Sequence, residues 1–336
     1  MRASLADDAA QPEQCVLCRQ LELTWDVESW AAAMRPLFEA YVEDEDDGAP
    51  LADVLESHWD LFTSRALHGR RDFIGAVAGL LSSTVGAETS VRLKVGDGEA
   101  GRIWSAFVDE ISGDRRWFFI ESDATRLIRL LDLCLATRAE AALDSMHEFV
   151  RARVGSFEDE AGLGAPPPGM AAPGRANPPG VSMFYCATAE KIAVHEVRPS
   201  RQAVVSTARF RAASSLRLAD FTQQANRKPS PFFSDENGDL VDPSEIYVAN
   251  ELGSIVGDAL SRPVRESDNK TEYLATQYVA EYVRHFGLDG IRYRSSFEDR
   301  KAGVEGDNLV VFTPSAMAMV AHSSTRLEIK GVAVTY

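Results

Sequence analysis

Apolar residues recur at helical spacing through most of the first 145 positions and alternate with polar ones through much of the remainder. Residues 25–41 carry Trp25, Trp30, Met34, Leu37, Phe38 and Tyr41. This spacing predicts a helix, with Pro36 as a kink or boundary. Leu51–Leu67 repeats the pattern through Val54, Leu55, Trp59, Leu61 and Phe62. Residues 72–83 predict a further helix interrupted by Gly75 and Gly79. A short helix is expected around Trp104, Phe107 and Val108. The strongest helical run of this half is 124–143, with Leu127, Ile128, Leu130, Leu131, Leu133 and Leu135.

The period then changes. Phe149–Val154 alternates apolar and basic residues, as a half-buried strand does. Residues 155–180 are rich in Gly and Pro, and a loop of that length usually serves binding. Ser182–Cys186 predicts a strand, followed by a short helix with Thr188 as its N-cap. Strands are expected at Ala203–Phe210 and Leu216–Phe221, and irregular chain over 222–245. Thr271–Phe286 predicts a helix through Leu274, Tyr278, Tyr282 and Phe286, ended by Gly287. Gly290–Ser296 predicts a strand with Ile291 and Tyr293 inward, and Leu309–Phe312 a buried strand stopped by Pro314. Ser324–Thr335 ends the chain with strand-like alternation. The fold class is therefore α+β: a mainly helical N-terminal domain, 15–145, followed by a mixed α and β domain, 146–336.

Composition narrows the function. The chain has 336 residues, 45% apolar and 26% charged, with a net charge of -16. So acidic a chain does not suit direct nucleic-acid binding or a polybasic membrane patch, although a basic partner could bind it. No apolar run approaches a membrane span and the first residues lack a signal peptide, so a cytoplasmic location is expected. The four cysteines do not make a disulfide framework. Cys15 and Cys18 form a CxxC pair, half of a zinc site; without a second pair nearby, free thiols are the expectation. The acidic run Glu43–Asp47 reads as a solvated loop.

Chemistry gathers on Gly174–Arg198. Arg175 lies in the loop, Tyr185 on the strand and Glu196 on the helix face shared with Ile192 and Ala193. An inward carboxylate is paired, protonated or employed; the plainest reading is a structural ion pair. His195 points off that face.

Arg175, Asn177, Tyr185 and Glu196 stand at the spacing of one characteristic block. Tyr273, Gln277, Gly290, Tyr293, Ser295, Asn308 and Phe312 stand at that of a second. Together, from about Phe149 to Tyr336, they resemble the RES domain, named for an arginine, a glutamate and a serine. Cys15–Cys18 and Trp104–Phe107, ahead of Arg115 and Arg116, resemble more weakly the HEPN/RES-type N-terminal domain fused before it.

The resemblance implies an ADP-ribosyltransferase-like mixed β core and NAD+ as substrate, cleaved at the nicotinamide–ribose bond by hydrolysis or phosphorolysis, with phosphate as a candidate co-substrate. It implies a toxin or defence effector opposed by an antitoxin or immunity protein. The matched site residues are Arg151 (with Arg153 as the alternative), Arg175, Tyr185, Glu196 and Ser295 (with Ser296 adjacent). On that reading Glu196 stabilises the oxocarbenium-like ribose. Arg151, and Arg175 on a mobile loop, grip phosphate from two sides. Ser295 offers a hydroxyl, and Tyr185 stacks or orients. Protein ADP-ribosyltransferase is the alternative enzyme, and a partner-binding or regulatory scaffold the alternative for the N-terminal half. A nuclease is disfavoured, because none of the six histidines has an arginine five to seven residues before it. A homo-oligomer remains open.

Overall fold

The computed structural model describes residues 11–14, 21–24, 27–61, 69–96, 98–113, 116, 122–138, 146–222, 228–235, 237–262, 273–297 and 305–331. Cys15, Cys18 and Arg115 lie outside them. No helix among the described residues is long and apolar enough to cross a membrane.

The chain divides into two compact units: residues 1–100 with 225–251, and 101–224 with 252–336. The boundary expected at residue 145 coincides with neither edge. The reason is local packing. The ring of Phe107 meets Tyr278 at 5.2 Å, and Asp132 accepts a 2.7 Å hydrogen bond from the Tyr282 hydroxyl. These contacts place the last two helices of the N-terminal half against the later helix Leu274–His285.

The first unit contains β1 (Gln11–Gln14), β2 (Leu21–Thr24), α1 (Val27–Glu39), β3 (Tyr41–Glu43), β4 (Ala49–Pro50), α2 (Leu51–His58), α3 (Arg70–Leu81) and β5 (Ser90–Leu93). Pro36 lies inside α1, which continues past it to Glu39. The apolar stripes expected on these helices converge. Met34, Leu37, Leu55, Trp59, Ile74 and Val77 form one buried cluster. Strands β3, β5 and β4 make a small antiparallel sheet in that order.

The second unit begins with α4 (Glu99–Ser112) and α5 (Ser122–Arg138). It continues with β6 (Glu148–Val154), α6 (Glu160–Leu163), β7 (Phe184–Ala187), α7 (Glu190–Glu196), β8 (Val204–Ala212) and β9 (Leu218–Asp220). Then come α8 (Pro243–Ser261), in which the division between the units falls, α9 (Leu274–His285), β10 (Gly290–Arg294), β11 (Asp307–Val311), β12 (Met317–Met319) and β13 (Thr325–Glu328). The chain is thus an α-helical N-terminal region followed by a mixed β-sheet domain.

The longest of these helices, α8, carries Ile246, Ala249, Leu252, Val256 and Leu260 at helical spacing, and all five are buried. Its start follows ordinary capping chemistry: the Asp242 carboxylate accepts from Ser244 N at 2.8 Å, and Pro243 opens the first turn. Two glycines lie in its interior. A Cβ on Gly253 would stand 2.3 Å from Arg138 Nε, and one on Gly257 2.5 Å from the Phe221 carbonyl. Both glycines are therefore close-approach positions rather than breaks.

The large sheet runs β12–β8–β6–β7–β11–β10–β9, with β13 also on β8. Pairing is antiparallel except β9 with β10, which is parallel. One face packs Phe149, Phe184, Phe210, Leu309 and Val311. On the other, Ile192 and Ala193 of α7 cover Ala152, Ala187 and Val205. Ile291 and Tyr293 are inward, as their alternation predicts.

One junction in this sheet is incomplete. Strand β6 pairs with β8 along its whole length, from Glu148↔Arg211 to Val154↔Val205. Strand β7 pairs with β11 over four positions. Between β6 and β7 a single pair remains, Val150↔Ala187. Beyond it the strands part.

Candidate active site

A cavity of about 510 Å³ opens where β6 and β7 diverge. Its volume falls in the range of small-molecule sites, about 300–1,000 Å³. Arg151 and Arg153 line it from β6, Tyr185 and Cys186 from β7, Glu196 from the end of α7 and Asn308 from β11. Residues 151 and 153 lie two apart on one strand, so both project to the same face.

Arg151 bridges the gap. Its Nη1 donates to the Tyr185 carbonyl at 2.6 Å and its Nε to the Leu163 carbonyl at 2.8 Å. Both acceptors are carbonyls a closed ladder or a longer helix would have satisfied, so the guanidinium supplies the missing donors. It also sits 5.1 Å from the Phe184 ring centroid. Burial pushes its pKa down from the usual arginine value, partly offset by Cys186. Burial holds the Cys186 thiol up at about 12, which keeps it protonated and poorly nucleophilic. Arg153 is more exposed; its Nη1 donates to Gly162 O at 2.6 Å and its guanidinium lies 4.6 Å from the Phe157 ring.

Glu196 is half-buried and not part of an ion pair among the described residues. Two neutral donors converge on its Oε1: Ser295 Oγ at 2.9 Å and Asn308 Nδ2 at 2.6 Å. Its Oε2 has no hydrogen bond among the described residues. Donors on one carboxylate oxygen fix the plane of the group. Ser295 and Asn308 are themselves buried and come from consecutive antiparallel strands, β10 being followed at once by Ser295. The two adjacent serines therefore differ sharply. Ser295 faces Glu196, whereas the buried hydroxyl of Ser296 has no hydrogen-bond partner among the described residues.

Tyr185 is tied to the loop before it. Its hydroxyl donates to Asn177 Oδ1 at 2.6 Å and accepts from Ala176 N at 3.2 Å. Burial raises its pKa to about 12. Asn177 in turn donates to the carbonyls of Ala172 and Val181, both at 2.9 Å. From α9, Gln277 Nε2 donates to Gly174 O at 2.8 Å and Asn177 O at 2.9 Å, and Thr276 Oγ1 to Arg175 O at 2.7 Å. A Cβ on Gly174 would stand 2.6 Å from Asn177 Oδ1, so only glycine admits this closure. The Gly/Pro-rich loop is thus pinned at its backbone.

Pinning the loop turns Arg175 away. Its Nη1 donates to Leu260 O at 2.6 Å and also to Arg262 O, at the C-terminal end of α8. The end of a helix leaves carbonyls without donors and carries partial negative charge, which an arginine satisfies on both counts. Arg175 does not line the cavity. The structure thus gathers Arg151, Arg153, Tyr185, Glu196 and Ser295 around one site and leaves Arg175 behind it.

One other expectation changes. Ala189, not Thr188, holds the N-cap position of α7, and no side chain caps it. Thr188 Oγ1 instead accepts from Asp307 N at 2.9 Å, tying β7 to β11. No cluster of metal-ligating side chains occurs among the described residues. Asn308 carries a role that the sequence pattern alone did not assign. Its register opposite Ala187 on β7 and Tyr293 on β10 sets it beside the end of α7.

The class of molecule defined by this geometry is an α+β protein with a charged cavity in a split mixed sheet. Residues 148–330, more than half of the chain, match the RES domain. The chain belongs to the RES domain family. Among solved structures it is similar to a chain of the M. tuberculosis MbcT–MbcA toxin–antitoxin complex. The identity is 16%, over 59% of this chain and 92% of that one, with a TM-score of 0.35. None of the curated proteins matches it.

Proposed function

We propose that the protein is an NAD+-degrading enzyme that breaks the nicotinamide–ribose bond. The observation that carries this reading is the Glu196 carboxylate. One of its oxygens is anchored by Ser295 and Asn308, in a cavity whose opposite strand presents two arginines. Such a site has what glycosidic cleavage needs: negative charge for a cationic sugar, and fixed positive charge for a pyrophosphate.

In the reaction, the electron pair of the C–N bond leaves with nicotinamide, which departs neutral. The ribose carbon becomes oxocarbenium-like, and Glu196 stabilises that developing charge. Water then gives ADP-ribose and a proton; phosphate gives ADP-ribose 1″-phosphate. Arg151 and Arg153 hold the pyrophosphate, Arg151 with a guanidinium already oriented by two carbonyls. Tyr185, protonated well beyond neutral pH, serves as a hydrogen-bonding and packing surface, not as a base. On this reading the split sheet is the ADP-ribosyltransferase-like core that accommodates NAD+. Arg175 organises the loop rather than the phosphate. The activity would suit a toxin or defence effector restrained by a neutralising protein. The HEPN/RES-like N-terminal half would then serve as its regulatory or partner-binding part.

Incubating the purified full chain with NAD+, with and without phosphate, tests the reading. Nicotinamide together with free ADP-ribose or its 1″-phosphate is expected. NAD+ left intact would overturn it, and label transferred from NAD+ onto protein would assign the same site to protein ADP-ribosylation instead.

A further inference from the structure

The first unit holds a second cavity, of about 380 Å³, between α1, α3 and β3. Its floor is apolar: Phe38, Leu51, Leu81, Val85 and Val91. Its rim is charged, with Glu39 at the end of α1, Glu43 at the end of β3, and Arg35 one turn before Glu39. Glu39 and Glu43 are exposed, and neither makes an ion pair or hydrogen bond among the described residues. Asp44, the next carboxylate along, is already held by Arg92 at 2.6 Å. Two carboxylates against one cation leave the rim negative, in a chain whose net charge is -16.

Among the described residues, the strand beside this cavity is unpaired on one side. In the small sheet β3 stands at the edge, next to β5 only. Ala40 O accepts from Lys94 N and Asp44 N donates to Ser90 O, both at 2.9 Å. In an antiparallel ladder the residues facing the partner alternate. Ala40, Val42 and Asp44 therefore turn their backbone groups to β5, and Tyr41 and Glu43 turn theirs to the open edge. An edge with free donors and acceptors beside a side-chain pocket is the arrangement that binds an extended segment as an added strand.

We infer that this face docks an extended segment of a partner protein in which an apolar residue has a lysine or arginine two positions before it and another two positions after it. The segment pairs with Tyr41 and Glu43 through its backbone. Its apolar side chain enters the cavity and covers Phe38, Leu81 and Val85. Because strand side chains alternate, the residues two positions before and after the anchor share its face, the face that Glu43 shares with Val91, and reach the rim, where Glu39 and Glu43 take the cations. The acidic field of the whole chain brings such a segment in and disfavours an acidic one.

The test uses the full-length protein and a labelled heptapeptide, Ser-Lys-Ser-Leu-Ser-Lys-Ser, followed by fluorescence anisotropy and amide hydrogen exchange. Saturable binding is expected, with slowed exchange at the Tyr41 and Glu43 amides. The double substitution Glu39→Lys with Glu43→Lys, both on exposed positions, should weaken binding by about tenfold or more, as expected for losing two charge-assisted contacts. Leu81→Trp, which fills the cavity, should also weaken it, and circular dichroism would show that each variant is folded. Absence of binding overturns the inference, as does equal binding of a peptide with serine in place of leucine, because charge alone would then suffice. Binding that leaves both amides exchanging freely overturns the added-strand geometry. A single-chain alkylamine that displaces the peptide completely while giving the same exchange pattern would assign the cavity to a small cationic amphiphile instead.

Discussion

The two cavities differ in how their charges are held. In the second unit the polar groups are committed before any ligand arrives. Arg151 is fixed by two carbonyls, Glu196 by Ser295 and Asn308, and Tyr185 by Asn177. In the first unit the floor is apolar and the rim carboxylates Glu39 and Glu43 are unbound among the described residues. Fixed charges in a sheltered cleft suit chemistry, because they cost no reorganisation as charge develops. Free charges around an apolar floor suit recognition, where the partner supplies the pairing.

The strongest way to break this contrast is to neutralise the fixed carboxylate. Glu196→Gln preserves shape and an acceptor oxygen but removes the charge. NAD+ turnover should fall by about 10²–10⁴-fold, with the melting temperature nearly unchanged. Assays of nicotinamide release and thermal melts check both halves. If turnover survives, the preorganised group is not the working one.

Asn308→Ala tests the preorganisation itself. It removes one of two donors on Oε1 and leaves Ser295 in place. A hydrogen bond to a charged group contributes about 1.5–3 kcal/mol, so a loss of roughly 10- to 100-fold in kcat is expected, with KM less affected. An equal effect on KM alone would make Asn308 a binding residue instead.

Arg175→Ala should affect folding more than chemistry. Its bonds to the α8 carbonyls stabilise by about 1–3 kcal/mol, so the melting temperature should fall by several degrees. Turnover should survive much better than in Glu196→Gln. A folded, inactive Arg175→Ala protein would return this arginine to the ligand side.

Alkali probes the buried tyrosines. Burial raises Tyr185 to about 12 and pushes Tyr41 and Tyr293 up further still. Below the ordinary tyrosine pKa of about 10 both folded and unfolded chains keep these protons, so stability does not change on their account. Above it the unfolded chain loses them first, and the native state becomes less stable with rising pH. Denaturant midpoints should fall from about pH 10 upward. Tyr185→Phe should flatten that fall slightly, because one such group no longer titrates.

The sequence announced most elements with a single consistent period: α1, α5 and α9 by helical stripes, β6, β8 and β10 by alternation. No element is expected at α8, although its apolar residues recur at helical spacing; its Gly253 and Gly257 are contact points for Arg138 and Phe221. The family pattern brought Arg151, Tyr185, Glu196 and Ser295 forward together. It could not give the direction of Arg175. That depends on Gln277 and Thr276, about a hundred positions away, pulling the loop backbone onto α9. Nor could spacing choose between Ser295 and Ser296, since neighbouring residues past a strand face opposite ways and only the partner, Glu196, distinguishes them. Asn308 was visible as a motif residue, but its role required the register of β11 against β7.

The account rests on what the cavity between β6 and β7 does to NAD+. Chromatography of nicotinamide formed against NAD+ consumed, by the wild-type chain beside folded Glu196→Gln, tests it most directly. One nicotinamide per NAD+ lost, with the variant inert, is the predicted result. NAD+ recovered intact from the wild type, or nicotinamide released at the same rate by both proteins, would contradict it.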